Sequence, residues 1–141
     1  MNRLNRKVEY ALMALKYMAG KSSRALTSAK EISDSMKVPF DATARVLQVM
    51  AHHGWLKAEH GAQGGYCLAR DLNKVSFHDL VEMIEGHTEI VRCLHGDDCE
   101  LLATCNIQSP VTILNRKLTQ FYRGLALGEI LKSPVESRVT T

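Results

Sequence analysis

Residues 28–69 hold the pattern that most restricts this chain. Two short helix signals flank a proline, and two strand signals then flank a five-residue loop with three glycines. Ser28 and Glu31 have the spacing of a capping box, in which hydroxyl and carboxylate each serve a backbone N–H left bare at a helix start. Ala29, Ile32 and Met36 give that helix one apolar face. Pro39 disfavours helix at the residue before it, so Lys37-Val38-Pro39 reads as a break. A second helix covers about residues 40–53, with Val46, Leu47 and Met50 inward and Asp41, Thr43, Arg45 and Gln48 on its other faces. Gly54 closes it. Residues 55–59 and 66–69 read as strands around the hairpin loop Gly61-Ala62-Gln63-Gly64-Gly65. A helix pair alone occurs in many all-helical domains. Followed directly by a hairpin, it has the order of a winged helix-turn-helix, mainly α with a small β-hairpin wing. In that fold the second helix of the pair enters the major groove of DNA.

The flanks complete one compact domain with an appended helix. Residues 3–19 place Leu4, Val8, Ala11, Leu12, Leu15 and Ala19 at helical intervals. Ser76 caps a further helix with Leu80, Val81 and Ile84 on one side, ending at Gly86. A long last helix is predicted from Ser109-Pro110, cap then first-turn proline, with an apolar stripe of Val111, Leu114, Leu118, Phe121, Tyr122 and Leu125. A long helix after a complete small domain needs a surface to pack on, and a second subunit or its own domain would supply one. The expected organisation is a DNA-binding domain over 1–86, a cysteine-containing loop over 87–107, a dimerisation helix over 108–131 and a disordered tail over 132–141.

Charge is unevenly spread. Residues 1–76 carry 12 Lys/Arg against 6 Asp/Glu, whereas residues 77–105 carry 1 against 7. A basic first half suits a polyanion such as DNA, although scattered surface charge would look the same. Thr43, Arg45 and Gln48 are the candidate readers on the second helix of the pair, Arg for guanine and Gln for adenine. Ser28 at a helix N-terminus could hold a phosphate, and Arg3, Arg6 and Lys7 could add charge. His60 and Gln63 sit at the hairpin turn. Glu9 and Lys16 interrupt the apolar run behind the basic N-terminus, and no apolar stretch approaches a bilayer span, so no signal peptide and no membrane contact are expected. A cytoplasmic protein is the expectation. Enzyme activity is not expected, because no nucleophile–base constellation, phosphate loop or dinucleotide fingerprint is present.

Three of the four cysteines, Cys93, Cys99 and Cys105, stand at equal gaps of five residues. In reducing surroundings such a set is more often a metal or redox site than a disulfide framework. Thiolates suit iron–sulfur clusters, zinc or copper. Structural zinc usually takes pairs two to four residues apart. Wider gaps let a loop wrap a larger inorganic core, which normally takes four protein ligands. Free thiols, or a disulfide plus one thiol, are the alternatives. Cys67, on a predicted wing strand, reads as a small packing residue.

Taken together, these residues resemble the iron–sulfur winged-helix regulators typified by IscR and NsrR. The resemblance covers residues 3 to about 131. It rests on Tyr10-Ala11-Leu12, Gly54-Trp55-Leu56, Gly61-Ala62-Gln63-Gly64-Gly65-Tyr66, the three cysteines and Leu127-Gly128-Glu129-Ile130-Leu131. It implies a homodimer that binds double-stranded operator DNA, probed by a small gaseous or redox effector at a cluster on Cys93, Cys99 and Cys105. Where the biogenesis regulators carry a ligating histidine this chain has Gln108. Glu9 matches the acidic ligand that the nitric-oxide sensor draws from the partner subunit. That pattern implies a sensor-type 4Fe-4S cluster, with 2Fe-2S as the other option and His87, His95, Asp97 and Asp98 as fallback ligands. Where the family often has an arginine beside the wing turn, this chain has His60. The function implied is a transcriptional repressor controlled by cluster state. The alternative is a winged-helix regulator that senses by thiol oxidation, zinc or a protein partner.

Overall fold

The computed structural model describes residues 4–95 and 99–132. Arg3, Asp97, Asp98 and the tail after Lys132 lie outside the described residues, as does the side chain of His95. Helix α1 (Arg6–Ala19) starts where the Asn5 side chain accepts from the Lys7 N–H at 2.8 Å. Its Val8, Ala11, Ala14, Leu15 and Met18 are buried, and it packs against α2 (Ala29–Met36), α3 (Phe40–His52) and three later elements, among them the second wing strand. Ile32 from α2 and Val46, Leu47 and Met50 from α3 fill the other side of this core. Each fully buried aliphatic side chain of this size is worth about 1.5–3 kcal/mol relative to exposure. Met36, expected on the apolar face of α2, is exposed instead. Among the described residues no helix is long and apolar enough to cross a membrane.

Strands β1 (Leu56–Glu59) and β2 (Gly65–Leu68) pair antiparallel, Leu56 opposite Leu68 and Glu59 opposite Gly65. Gly61 turns the loop with φ +112°, a conformation open to glycine and costly for other residues. The wing is also fastened to the start of α2. Thr27 and Tyr66 exchange both backbone hydrogen bonds, at 2.9 and 2.8 Å. A Cβ at Gly65 would lie 2.9 Å from the Thr27 carbonyl, so only glycine permits this approach.

Ser28 caps α2, accepting from the Glu31 N–H at 3.0 Å. The carboxylate of Glu31 turns to α1 instead of completing a capping box. Tyr17 donates its hydroxyl to it at 2.6 Å, and Lys21 forms an ion pair with it. Lys21, and then Tyr17, hold the Glu31 carboxyl below the usual carboxylate range. A lowered folded-state value means that the contribution is full above the unfolded value, near 4.3, and is lost as pH falls through the folded one. Over a third of the side chain is exposed, which keeps the effect small. Glu31→Gln is therefore expected to lower the urea midpoint slightly at pH 7, with the gap to the wild type closing at pH 3. A constant gap across that range would refute the ion-pair account.

Ser76 and Asp79 form the reciprocal capping box of α4 (Phe77–Glu85). The C-terminal part departs from the predicted single helix. Helix α5 (Gln108–Arg123) begins before Ser109-Pro110, with Ile107 at the cap, so the proline sits in the first turn, where its missing N–H costs no intrahelical bond. The helix stops at Gly124 because the next residues pair with the chain ahead of α4. Phe77 N–H donates to Leu125 O at 2.8 Å, and Leu127 N–H donates to Val75 O at 2.9 Å. Helix α6 (Leu127–Leu131) then brings Leu127 into the core of the winged domain at 0% exposure.

Candidate nucleic-acid interface and cysteine cleft

Helices α2 and α3 meet at a tight turn. Lys37 adopts left-handed backbone (φ 58°, ψ 45°), and Ser33 donates its hydroxyl to Val38 O at 2.9 Å. The turn presents α3 with one face inward and one outward. Arg45 and Gln48 lie three apart on its exposed side. Thr43 does not share that position. It is 1% exposed and donates its hydroxyl to Pro39 O at 2.8 Å, which satisfies the group inside its own helix. Thr43 is therefore withdrawn as a contact. Ser28 is half-buried and its oxygen is engaged by the cap, but its hydroxyl proton remains available to an acceptor. His60 and Gln63 are exposed in the hairpin loop, and Lys57 is exposed on β1.

The cysteine loop leaves α4 and is held by side chains before the first cysteine. The His78 ring meets the Thr88 hydroxyl at 3.1 Å, and the Ile90 N–H donates to Asn115 Oδ1 on α5 at 3.1 Å. Cys93 is exposed in a short 3-10 turn (Arg92–His95), and Cys99 and Cys105 are half-buried. All three line one open cleft of about 1300 Å³, whose floor is the first turns of α5. Gln108, Thr112 and Arg116 line it at intervals of four residues, and Ile90, Leu94 and Val111 supply apolar wall. The 108–112–116 spacing puts Arg116 on the same helix face as Gln108. Cys67 lies apart on β2, opposite Lys57.

The donor set decides what this cleft can hold. Three soft thiols suit iron–sulfur or zinc chemistry. Among the described residues no group of three or more His, Cys, Asp or Glu is gathered tightly enough to hold a metal ion. The three thiols share one open cavity with Gln108 and Arg116. The residue following the last cysteine by three is an amide, Gln108, so the cleft itself offers no imidazole there. Glu9 sits in the first turn of α1, paired with Arg6 at 2.9 Å, and does not line the cleft of its own chain.

Comparison with known proteins agrees with the helix-turn-helix half of this description. NsrR, an HTH-type transcriptional regulator of Shouchella clausii, is 23% identical over 119 residues, covering 83% of this chain and 78% of that protein. The HTH-type transcriptional regulator IscR of Klebsiella pneumoniae is 21% identical over 131 residues, covering 93% and 80%. Among solved structures, CymR, the global cysteine regulator of B. subtilis, superimposes with a TM-score of 0.71 over 93% of this chain and 97% of that one, at 19% identity. The sequence profile of one family spans residues 4–133, the winged domain, the cysteine loop and both C-terminal helices. With a two-stranded wing behind a helix-turn-helix and a profile match over nearly its whole length, the chain belongs to the Rrf2 family of iron-dependent transcriptional regulators.

Proposed function

We propose that this chain is a homodimeric repressor whose operator affinity is set by an iron–sulfur cluster on Cys93, Cys99 and Cys105. The observation that carries the reading is that all three thiols line one cleft built on α5. That helix is tied to the winged domain. Its Asn115 accepts from Ile90, its Tyr122 ring lies edge-on to Phe77 of α4 at 5.3 Å, and the strand-like pairing of residues 75–77 with 125–127 follows directly. A change in how the thiols are held therefore has a covalent and hydrogen-bonded route to α4, which packs on α3. When bound, the cluster supplies a site that nitric oxide, oxygen or iron shortage can dismantle.

The homodimer is supported by α5 itself. None of its residues is buried, and Ile113, Leu114 and Phe121 are exposed, as are Leu101, Leu102 and Ile107 beside the cleft. An apolar face of this extent is characteristic of an interface. Glu9 of the partner subunit would complete the ligand set, and its harder oxygen favours a labile 4Fe-4S sensor over a structural site; a 2Fe-2S cluster is the other nuclearity. Arg45 and Gln48 read bases. Ser28, His60, Gln63 and Arg3 contact the backbone or the minor groove.

Anaerobically purified protein is expected to be brown and to contain iron and sulfide, and its DNA affinity should fall steeply with salt as phosphate contacts release counterions. A colourless protein with stoichiometric zinc would remove the cluster and leave the DNA reading. Glu9→Ala is expected to shift the cluster absorbance or shorten its lifetime in air; an unchanged spectrum and lifetime would assign the fourth ligand elsewhere. The exposed thiol of Cys93 favours one second reading, sensing by thiol oxidation. That reading predicts an iron-free protein whose operator affinity responds to peroxide.

A further inference from the structure

The exposed face of α3 carries one residue that phosphate binding does not explain. Asp41, Arg45, Gln48 and His52 recur at i, i+4, i+7 and i+11, and all four are exposed. Thr43, Val46, Leu47 and Met50 are buried on the opposite side. Arg45 and Gln48 suit either bases or the backbone. A carboxylate is repelled by phosphates, so Asp41 would weaken a helix that only gripped the backbone. It stands in the first turn of α3, and the N-terminal residues of a reading helix are the ones that reach base edges.

Asp41 is also available. Among the described residues it makes no side-chain hydrogen bond and no ion pair. Arg45, one turn on, makes none either, so the two do not neutralise each other. Phe40 beside it is 50% exposed, a second group at this end of the helix with no attraction for phosphate. We propose that Asp41 is a specificity-determining residue, whose carboxylate accepts a hydrogen bond from the N4 amino group of a cytosine in the major groove. An acidic side chain in the major groove pairs with cytosine, the base that offers an amino donor without an adjacent acceptor at N7. Asp41 excludes the base pairs that would face it with guanine O6 or thymine O4. Arg45, one turn further along, is placed to take a guanine, so the two residues together favour a step rich in C·G pairs.

This inference rests on the reading of α3 as the groove helix, and the test separates the two. Duplexes are selected from a randomised pool by the anaerobically purified full chain, before and after nitric oxide treatment, and by Asp41→Ala and Asp41→Asn. In the form that binds DNA, the wild type is expected to enrich cytosine at one position of each half-site. Asp41→Ala should keep the remaining positions and lose preference at that one, and Asp41→Asn should shift it towards adenine. On the wild-type duplex, replacing that C·G pair with T·A should weaken the wild type roughly tenfold and Asp41→Ala less than about twofold. A role confined to the helix dipole predicts the opposite pattern, a lowered unfolding midpoint with unchanged base preference, and would overturn the proposal. Identical enrichment by wild type and Asp41→Ala would overturn it while leaving α3 as the reading helix. If the wild type enriches no sequence, the proposal and the groove reading of α3 fall together.

Discussion

Replacing Cys93, Cys99 and Cys105 together with alanine is expected to abolish iron and sulfide incorporation and to lock operator affinity at a single value. The substitutions spare the fold. Cys93 is exposed, Cys99 and Cys105 are half-buried, and none belongs to the core packed around Leu15, Leu47 and Leu80. Their effect on the unfolding free energy is expected to stay within about 1 kcal/mol. The triple variant should therefore bind DNA cooperatively with the salt dependence of one wild-type state, and nitric oxide should no longer move it. Iron and sulfide determination alongside operator titrations checks both parts. Retained iron at wild-type stoichiometry would place the cluster elsewhere.

The second large effect falls on stability. Leu127→Ala is expected to cost about 2–5 kcal/mol, the range for truncating a fully buried leucine. Leu127 is 0% exposed, and its N–H is bonded to Val75 O. Its neighbour Gly128 is packed so closely that a Cβ there would meet Asn73 Oδ1 at 2.1 Å, so α6 has little room to shift and fill the cavity. Leu114→Ala is the control. Leu114 is 50% exposed on α5 and should leave the unfolding free energy of the single chain nearly unchanged while weakening self-association. Urea unfolding and sedimentation at matched concentrations separate the two. Equal destabilisation by both variants would mean that the C-terminal segment acts as one body, not as a dimer helix followed by a strap to the winged domain.

How much of this was legible beforehand depended on whether the determining interactions were local. The helix-turn-helix and wing follow from caps, a proline and glycines within forty residues, and their order survived intact in α2, α3, β1 and β2. Thr43 was misplaced because its side chain is polar, whereas its spacing of three, four and seven from Val46, Leu47 and Met50 puts it on the buried face. Its bond to Pro39 O removes the penalty for burying the hydroxyl. The break at Gly124 was hidden because the apolar stripe continues through Leu125. What ends the helix is pairing with residues 75–77, some fifty residues earlier in the chain, and no local pattern announces that. The same holds for Glu31, whose carboxylate answers to Lys21 and Tyr17 and not to its own helix start. In the cysteine loop the spacing identified the ligand candidates, but their shared cleft depends on α5, including Arg116, which periodicity alone did not connect to the thiols.

The central claim is that the state of the cysteine cleft sets the affinity of α3 for DNA. It is tested most directly by titrating nitric oxide into anaerobically purified protein and measuring iron content and operator affinity on the same samples. The account predicts that affinity moves in one direction, by at least about fivefold, in proportion to the cluster lost. Complete loss of iron and sulfide with operator affinity unchanged would contradict it.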